Sequence, residues 1–177
     1  MRELLALYKY RGSEKLEPLM GAILSAAYER ICRELGTDGL SRSPFHAVTS
    51  VPLAKERLEE RGFNQAERMA SRVAKRYGVP YRQLLRRVRH TEKQSLKTRS
   101  TRLTDMRGNF QAVAESIGEW MKEVDGVPPA RILLVDDVYT TGSTMNECAS
   151  VLQNAFCESA RGSQPRLEIY GLLWARS

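Results

Sequence analysis

A chain of 177 residues that is 42% hydrophobic and 28% charged is long enough to bury a core, and this balance excludes disorder as the default. No apolar run is long enough to cross a bilayer and no secretion signal is evident, so we predict a cytoplasmic protein without a membrane partner. The 28 Lys and Arg residues exceed the 21 Asp and Glu residues, and the net charge of +7 suits an anionic ligand.

The first half of the chain predicts a helix, a strand and a second helix. Apolar residues at helical spacing mark one face of the first helix, and the set is Leu16, Leu19, Met20, Ile23, Leu24, Ala27 and Ile31. The apolar run 45–51, ended by Pro52, predicts a short buried strand. Asn64 and Gly78 are typical of the start and the end of a helix. The apolar face of that second helix comprises Ala66, Met69, Ala70, Val73, Ala74 and Tyr77.

A basic segment follows at residues 86–107. It has eight basic residues, which are Arg86, Arg87, Arg89, Lys93, Lys97, Arg99, Arg102 and Arg107, and two acidic ones, Glu92 and Asp105. It lacks an apolar period, so we predict a long exposed loop, and loops of this length in a domain are usually functional or disordered. The charge suits polyphosphate or nucleic acid, although an isolated charge run is more often simply solvated.

The second half alternates between helix and strand. Residues 115–124 predict a short helix, and the continuous apolar run 132–135 predicts a strand that is covered on both faces. The next helix places Met145, Cys148, Ala149, Val151, Leu152, Ala155 and Phe156 on its apolar side, and residues 167–174 predict a last strand. The alternation indicates one α/β domain, residues 1–177, with a mainly parallel twisted sheet flanked by helices. Ligands of such sheets bind at the carboxyl ends of strands.

An acidic pair, Asp136 and Asp137, follows the strand predicted at 132–135, and a hydroxyl-rich turn with one glycine comes next. Backbone N–H groups at such a turn, together with the start of a helix, suit a phosphate, and adjacent carboxylates suit sugar hydroxyls or a Mg²⁺-bound diol. The pattern therefore predicts a sugar phosphate as ligand. A nucleotide P-loop is excluded because no lysine follows Gly142. A receiver domain is excluded because too few residues follow Asp137 for its remaining elements.

Residues 135–144 resemble the signature of type I phosphoribosyltransferases, which bind 5-phosphoribosyl-1-pyrophosphate (PRPP). The resemblance implies catalytic carboxylates at Asp136 and Asp137 that hold the ribose 2- and 3-hydroxyls. It implies binding of PRPP and its 5-phosphate by the next stretch, namely Val138, Tyr139, Thr140, Thr141, Gly142, Ser143 and Thr144. Mg²⁺ is expected as a cofactor that arrives with PRPP and takes no direct protein ligand. The implied architecture is the type I phosphoribosyltransferase fold, with an N-terminal hood at residues 1–43, a core at 44–177 and a flexible loop.

Further motifs resemble those of the competence protein F (ComF, ComFC) family. In chain order they are Lys9-Tyr10-Arg11-Gly12, Val51-Pro52-Leu53, Arg57, Arg61-Gly62-Phe63-Asn64-Gln65, Arg89-His90-Thr91 with Gln94 and Leu96, and Arg102 with Gly108 and Phe110. The resemblance implies a pyrophosphate side that comprises Val51, Pro52, Leu53, Arg57, Arg61, Arg89 and Lys93. A guanidinium group can donate two parallel hydrogen bonds to a phosphate, so the arginines of this set agree with that assignment. Arg57 is equally well explained as a solvated charge, and the choice between Arg89 and Lys93 stays open.

Two departures from the family pattern bear on function. Members typically carry a cysteine-rich zinc-binding segment before the motif at residues 9–12, whereas this sequence starts just before that motif. Thr140 stands where purine-salvage relatives carry an acid that acts as general base on the nucleobase. Without that carboxylate, proton transfer at the acceptor needs another group, which argues against a hypoxanthine–guanine salvage enzyme.

The resemblance implies a link to natural competence and DNA uptake, and it leaves two functions open. One is a phosphoribosyltransferase, a glycosyltransferase of the pentosyl-transfer class, with an unknown nitrogenous acceptor. The other is a non-catalytic factor that keeps the fold and handles single-stranded DNA or binds a competence partner such as a DNA helicase. The basic segment agrees with DNA, but only Tyr81 lies near it, so no aromatic platform for stacked bases is evident.

Overall fold

Helices and strands alternate along most of the chain. The computed structural model describes residues 17–39, 42–88, 108–127, 129–139, 141–159 and 166–176. Its elements are α1 (Glu17–Glu34), β1 (Ala47–Ser50), α2 (Lys55–Arg61), α3 (Gln65–Tyr77), β2 (Leu85–Arg87), β3 (Phe110–Ala112), α4 (Ala114–Glu123), β4 (Ala130–Tyr139), α5 (Ser143–Ser159) and β5 (Leu167–Arg176). No helix among the described residues is long and apolar enough to cross a membrane.

The main sheet is parallel, in the order β1-β4-β5. In β1, Ala47 is opposite Ile132 and Ser50 is opposite Val135, while β4 pairs with β5 along most of its length. Tyr81 extends the sheet beyond β1 through a parallel bridge to Val48. The predicted α/β architecture with a parallel sheet flanked by helices is therefore confirmed.

Alternate residues of β4 enter two separate hydrophobic cores. Leu133 and Val135 pack with residues of α1 and α3 on one face of the sheet. Ile132 and Leu134 pack with residues of α4 and α5 on the other face. Successive side chains of a strand point to opposite faces, so an unbroken apolar run is what a sheet covered on both sides requires. The interpretation of residues 132–135 as a doubly covered strand is confirmed.

Helix α3 follows the sequence pattern closely. Its six predicted apolar residues are all buried. The side-chain oxygen of Asn64 accepts a hydrogen bond from the N–H of Ala66 at 3.1 Å, as expected of an N-cap, and Gly78 forms the left-handed C-cap. Helix α2 was not predicted from the sequence, and it buries none of its residues.

Helix α1 buries most of the predicted face, since Met20 and Leu24 are buried, and the partly buried side chains of Ile23, Ala27 and Ile31 pack against the same core. Its fully buried apolar side chains are Met20, Leu24, Tyr28 and Cys32, spaced four residues apart. The prediction of Leu19 on the buried face is wrong, because 47% of its surface is exposed. The ring of Tyr28 stacks on that of Tyr77 in α3, with centroids 3.9 Å apart. Leu16, which was predicted on the same face, lies outside the described residues.

The prediction of a loop over residues 86–107 is wrong at its start. Arg86 and Arg87 belong to β2, which pairs antiparallel with β3 in a two-stranded ribbon. The ribbon is held by the buried Leu84 and Leu85, a pair too short to give a recognisable period in the sequence. Residues 89–107 lie outside the described part of the chain.

Candidate functional site

The acidic pair lies within β4 rather than after it. The strand was predicted to end at Val135, but it continues to Tyr139, with Asp136 opposite Leu173 of β5. On the other side of β4, the pairing with β1 ends earlier. The last hydrogen bond between them runs from the N–H of Val51 to the main-chain oxygen of Val135 at 2.9 Å. The acidic pair therefore begins where β1 turns away, at the carboxyl edge of the sheet, where parallel sheets bind ligands.

The two carboxylates are neighbours on β4, and Asp136 accepts a hydrogen bond from the main chain of Asp137. Successive residues of a strand face opposite sides of the sheet, and both acids are half-buried. The N–H of Asp137 donates to Oδ1 of Asp136 at 2.8 Å. Burial raises the pKa of the Cys148 thiol in α5, and the negative charges of Asp136 and Glu147 raise it further. Asp136 is thus close enough to α5 for its charge to act on that helix.

The hydroxyl-rich turn begins α5 next to the acidic pair. Gly142 is buried and has a φ of 76°, a left-handed conformation that glycine adopts without steric cost. Its oxygen accepts from the N–H of Asn146 at 2.9 Å, which starts the helical ladder. The hydroxyls of Thr141 and Ser143 are 2.8 Å apart. The first N–H groups of a helix have no helical acceptor, so the turn presents N–H groups and hydroxyls together, as an anion site requires.

The turn after β1 is fixed beside this edge. Asn64 donates through Nδ2 to the main-chain oxygen of Val51 at 3.1 Å, while its oxygen caps α3. Val51 is therefore held from both sides, by Asn64 and by Val135 of β4. Pro52 and Leu53 follow, half-buried, and were predicted to form part of the pyrophosphate side. The structure brings this turn to the same end of the sheet as Asp136.

Of the three arginines assigned to the pyrophosphate side, the two that the structure describes occupy different environments. Arg57 lies on the exposed surface of α2, whereas Arg61 is half-buried and donates through Nη1 to Oε1 of Gln65 at 3.3 Å. Within the described part of the chain, Nε of Arg61 and Nε2 of Gln65 are buried without an acceptor. Buried donors of this kind favour a nearby carbonyl or anionic acceptor. The sequence pattern gave Gln65 no role beyond its place in a motif.

The β2–β3 ribbon contacts the same end of α5. Oε1 of Glu147 accepts from the N–H groups of Gly108 and Asn109, each at 2.9 Å. Arg87 lies over the Phe110 ring, with its guanidinium 5.2 Å from the ring centroid. Sequence reasoning missed Glu147, because a glutamate on a helix carries no local signal for a contact almost forty residues away.

Several predicted site residues are not described. Thr140, Arg89, His90 and Lys93 lie outside the described part of the chain, as does the motif at residues 9–12. Val138 is half-buried and continues β4. Thr144 lies in the first turn of α5, next to Ser143. Among the described residues, no cluster of three or more His, Cys, Asp or Glu side chains could hold a metal ion.

Comparison with proteins of known sequence finds homologues over most of the chain. It is 31% identical over 127 residues to competence protein F of Haemophilus influenzae, which covers 71% of this chain and 49% of that protein. It is 28% identical over 152 residues to competence protein ComFC of Bacillus subtilis, covering 86% and 53% respectively. ComFC of Streptococcus pneumoniae is 28% identical over 155 residues, covering 88% of this chain and 58% of that protein. The chain thus spans about half the length of the curated relatives it matches, and no family model matches it.

Solved structures with a similar chain course share little sequence with this protein. An allosteric regulatory enzyme of purine biosynthesis has a TM-score of 0.46 at 18% identity, covering 88% of this chain and 24% of that one. Adenine phosphoribosyltransferase from Leishmania tarentolae has a TM-score of 0.43 at 18% identity, covering 96% and 74%. A hypoxanthine phosphoribosyltransferase from Staphylococcus aureus has a TM-score of 0.39 at 12% identity, covering 89% and 74%.

Proposed function

We propose that this chain, a homologue of competence protein F and ComFC over most of its length, binds PRPP with Mg²⁺ and transfers its phosphoribosyl group to a nitrogenous acceptor. One observation carries the proposal. The acidic pair Asp136 and Asp137 lies on β4 beyond the end of β1, a few residues before the turn with which α5 begins. The carboxylates suit the hydroxyls of a ribose, and the start of the helix suits its phosphate, so one strand end provides partners for both.

Each part of PRPP has a candidate partner. Asp136 and Asp137 accept hydrogen bonds from the ribose 2- and 3-hydroxyls. The N–H groups and hydroxyls of residues 140–144 bind the 5-phosphate, helped by the partial positive charge at the start of α5. The pyrophosphate binds along the fixed turn at residues 51–53, together with the cationic side chains that the family resemblance assigns to it. Those cations are Arg57 and Arg61 from α2, and Arg89 and Lys93 from the basic segment.

Mg²⁺ fits this donor set. Mg²⁺ prefers oxygen ligands and keeps several of its waters, so it would be held mainly by oxygens of the substrate, beside the carboxylates of Asp136 and Asp137. The carboxylates of Asp136 and Asp137 provide negative charge beside the ribose hydroxyls. When bound, the ion neutralises charge on the pyrophosphate leaving group. The residues of this chain hold the ribose and the leaving group in place.

The transfer breaks the bond between ribose C1 and a pyrophosphate oxygen, and the electron pair leaves with pyrophosphate. A lone pair on the acceptor nitrogen forms the new bond to C1, and that nitrogen then gives up a proton. Positive charge develops at C1, and the cations on the pyrophosphate side stabilise the departing anion. Because Thr140 provides no carboxylate, the acceptor must be a nitrogen that loses its proton without a base at that position.

A second candidate function is a cytoplasmic competence factor that handles single-stranded DNA or binds a partner such as a helicase. It is favoured by the net charge of +7 and by the exposed Arg86 and Arg87 on β2. Binding to phosphate backbones through such residues weakens steeply as salt increases. Fluorescence anisotropy with a labelled oligonucleotide, at several salt concentrations and with or without PRPP, separates the two. Displacement by PRPP would indicate a shared site, whereas binding that PRPP leaves unchanged would indicate a separate DNA surface.

The test of the first function is a calorimetric titration of the full chain with PRPP and Mg²⁺, compared with ribose 5-phosphate and with inorganic pyrophosphate. PRPP should bind most tightly, because it alone engages both halves of the site. A second assay measures the release of pyrophosphate from PRPP in the presence of a panel of nitrogenous acceptors. The absence of PRPP binding rejects the proposal, and binding without release for any acceptor favours the non-catalytic alternative.

A further inference from the structure

Two neighbouring side chains at the start of α3 hold two other segments in place. Asn64 donates to the main-chain oxygen of Val51 and so fixes the turn at residues 51–53. Gln65 accepts at Oε1 from Nη1 of Arg61, the last residue of α2, at 3.3 Å. The start of α3 therefore fixes both the turn after β1 and the guanidinium group of Arg61.

The amide of Gln65 is poorly satisfied by the fold. Its side chain is only 1% exposed, and Nε2 has no acceptor within the described part of the chain. A buried donor without an acceptor destabilises a protein, and an apolar side chain of similar shape would avoid that cost. Stability alone therefore does not account for a glutamine at this position.

The surroundings of Arg61 suit an anion. Its guanidinium group is half-buried, its Nε is buried without an acceptor, and no ion pair joins it to a carboxylate of the described residues. Through Gln65 it is attached to the first turn of α3, where unpaired backbone N–H groups produce a partial positive charge. Charges that are partly removed from water are normally paired, so an anion from outside the chain is expected here.

We infer that Gln65 is a positioning residue, which holds the guanidinium group of Arg61 toward the pyrophosphate of PRPP. The inference rests on the proposed function. Gln65 acts through Arg61 and does not touch the ligand, because its own amide is enclosed by protein. Its loss therefore weakens a ligand that carries pyrophosphate more than ribose 5-phosphate, which binds at the turn before α5.

The experiment compares the binding of PRPP with Mg²⁺ and of ribose 5-phosphate to the full chain by calorimetry. Gln65→Met keeps the length of the side chain but removes the acceptor, so it should weaken PRPP about fivefold and ribose 5-phosphate by less than about twofold. Arg61→Met should weaken PRPP at least as much, and adding Gln65→Met to it should cause no further loss, because Gln65 acts only through Arg61. Gln111→Met removes the acceptor of an exposed hydrogen bond from Arg86 and is the matched control, which should bind both ligands like the wild type.

Thermal melting provides a second measurement. Gln65→Met should melt no lower than the wild type, because it removes the unpartnered amide donor. A markedly lower melting temperature would make Gln65 a structural residue and overturn the inference. Equal weakening of both ligands, unchanged PRPP binding, or a further loss in the double variant would also overturn it, while PRPP binding by the wild type stands. Absence of PRPP binding by the wild type overturns the proposed function, and the inference with it.

Discussion

Asn64 and Val51 are joined by a buried hydrogen bond, in which Nδ2 of Asn64 donates to the main-chain oxygen of Val51 at 3.1 Å. The oxygen of the same amide accepts from the N–H of Ala66 and so caps α3. Asn64 is only 9% exposed, so water cannot readily replace either bond. The side chain that begins α3 thereby also fixes the turn between β1 and α2, next to the acidic pair.

Replacing Asn64 should therefore destabilise the protein more than the loss of an ordinary helix cap. We expect Asn64→Ala to lower the free energy of unfolding by about 2–3 kcal/mol, because it removes the cap and leaves the Val51 oxygen buried without its donor. Urea unfolding followed by circular dichroism measures the change. Asn154→Ala, at an exposed site on α5, is the control and should stay within about 0.5 kcal/mol of the wild type. Equal stability of the two variants would contradict the role given to Asn64.

Substitutions at two glycines with the same backbone conformation separate the effect of backbone strain on stability from an effect on PRPP binding. Gly142 in the phosphate turn has a φ of 76°, and Gly126 in the turn after α4 has a φ of 74°. Alanine at either position should cost about 1–2 kcal/mol of stability, because a Cβ disfavours this conformation. Only Gly142→Ala should also weaken PRPP, by about tenfold, since the added methyl group and the altered turn act on the phosphate site. Parallel melting and calorimetry check both effects, and weaker PRPP binding by Gly126→Ala would contradict the assignment.

His46 lies at the opposite end of the sheet and should make the stability of the protein depend on pH. Its Nδ1 accepts the N–H of Arg131 at 3.0 Å, and burial, followed by the charge of Arg131, lowers the pKa of His46 below its ordinary 6.5. Below pH 6.5 the unfolded chain therefore binds a proton that the folded chain resists. This contribution to stability is complete above pH 6.5 and is lost as the pH falls towards the folded-state pKa.

The check is thermal melting of the wild type and of His46→Asn across the mildly acidic range. Asparagine can accept the Arg131 N–H through its oxygen but does not titrate. The melting temperature of the wild type should fall relative to the variant as the pH is lowered, and the difference should be constant at neutral pH. A difference that does not vary with pH would mean that His46 titrates alike in both states.

The sequence was sufficient for the features that depend on local pattern. The six apolar residues of α3 repeat at helical spacing between Asn64 and Gly78, so its face and both ends could be predicted. The apolar run at the start of β4 likewise predicted a doubly covered strand. Both patterns can be seen in a short stretch of sequence, because they depend only on which side of one helix or strand is buried.

Features that depend on distant contacts could not be predicted. The strand character of Arg86 and Arg87 comes from pairing with β3, more than twenty residues away, and two buried leucines give no period. The continuation of β4 through Asp136 follows from pairing with β5, whereas polar residues after an apolar run predict a strand end. The contact of Glu147 with Gly108 and Asn109 depends on main-chain N–H groups, which almost any residue could supply. Tertiary partners decide such features, and a single sequence does not identify them.

We propose that the carboxyl end of β4 binds a ribose carrying both phosphate and pyrophosphate. Calorimetric titration of PRPP with Mg²⁺ into the wild type and into the double variant Asp136→Asn, Asp137→Asn tests it most directly. Asp125→Asn, in an exposed turn, is the matched control. We predict that the wild type and the control bind alike and that the double variant binds at least about tenfold more weakly while remaining folded. Equal affinity of the double variant, or no binding by the wild type, would contradict the claim.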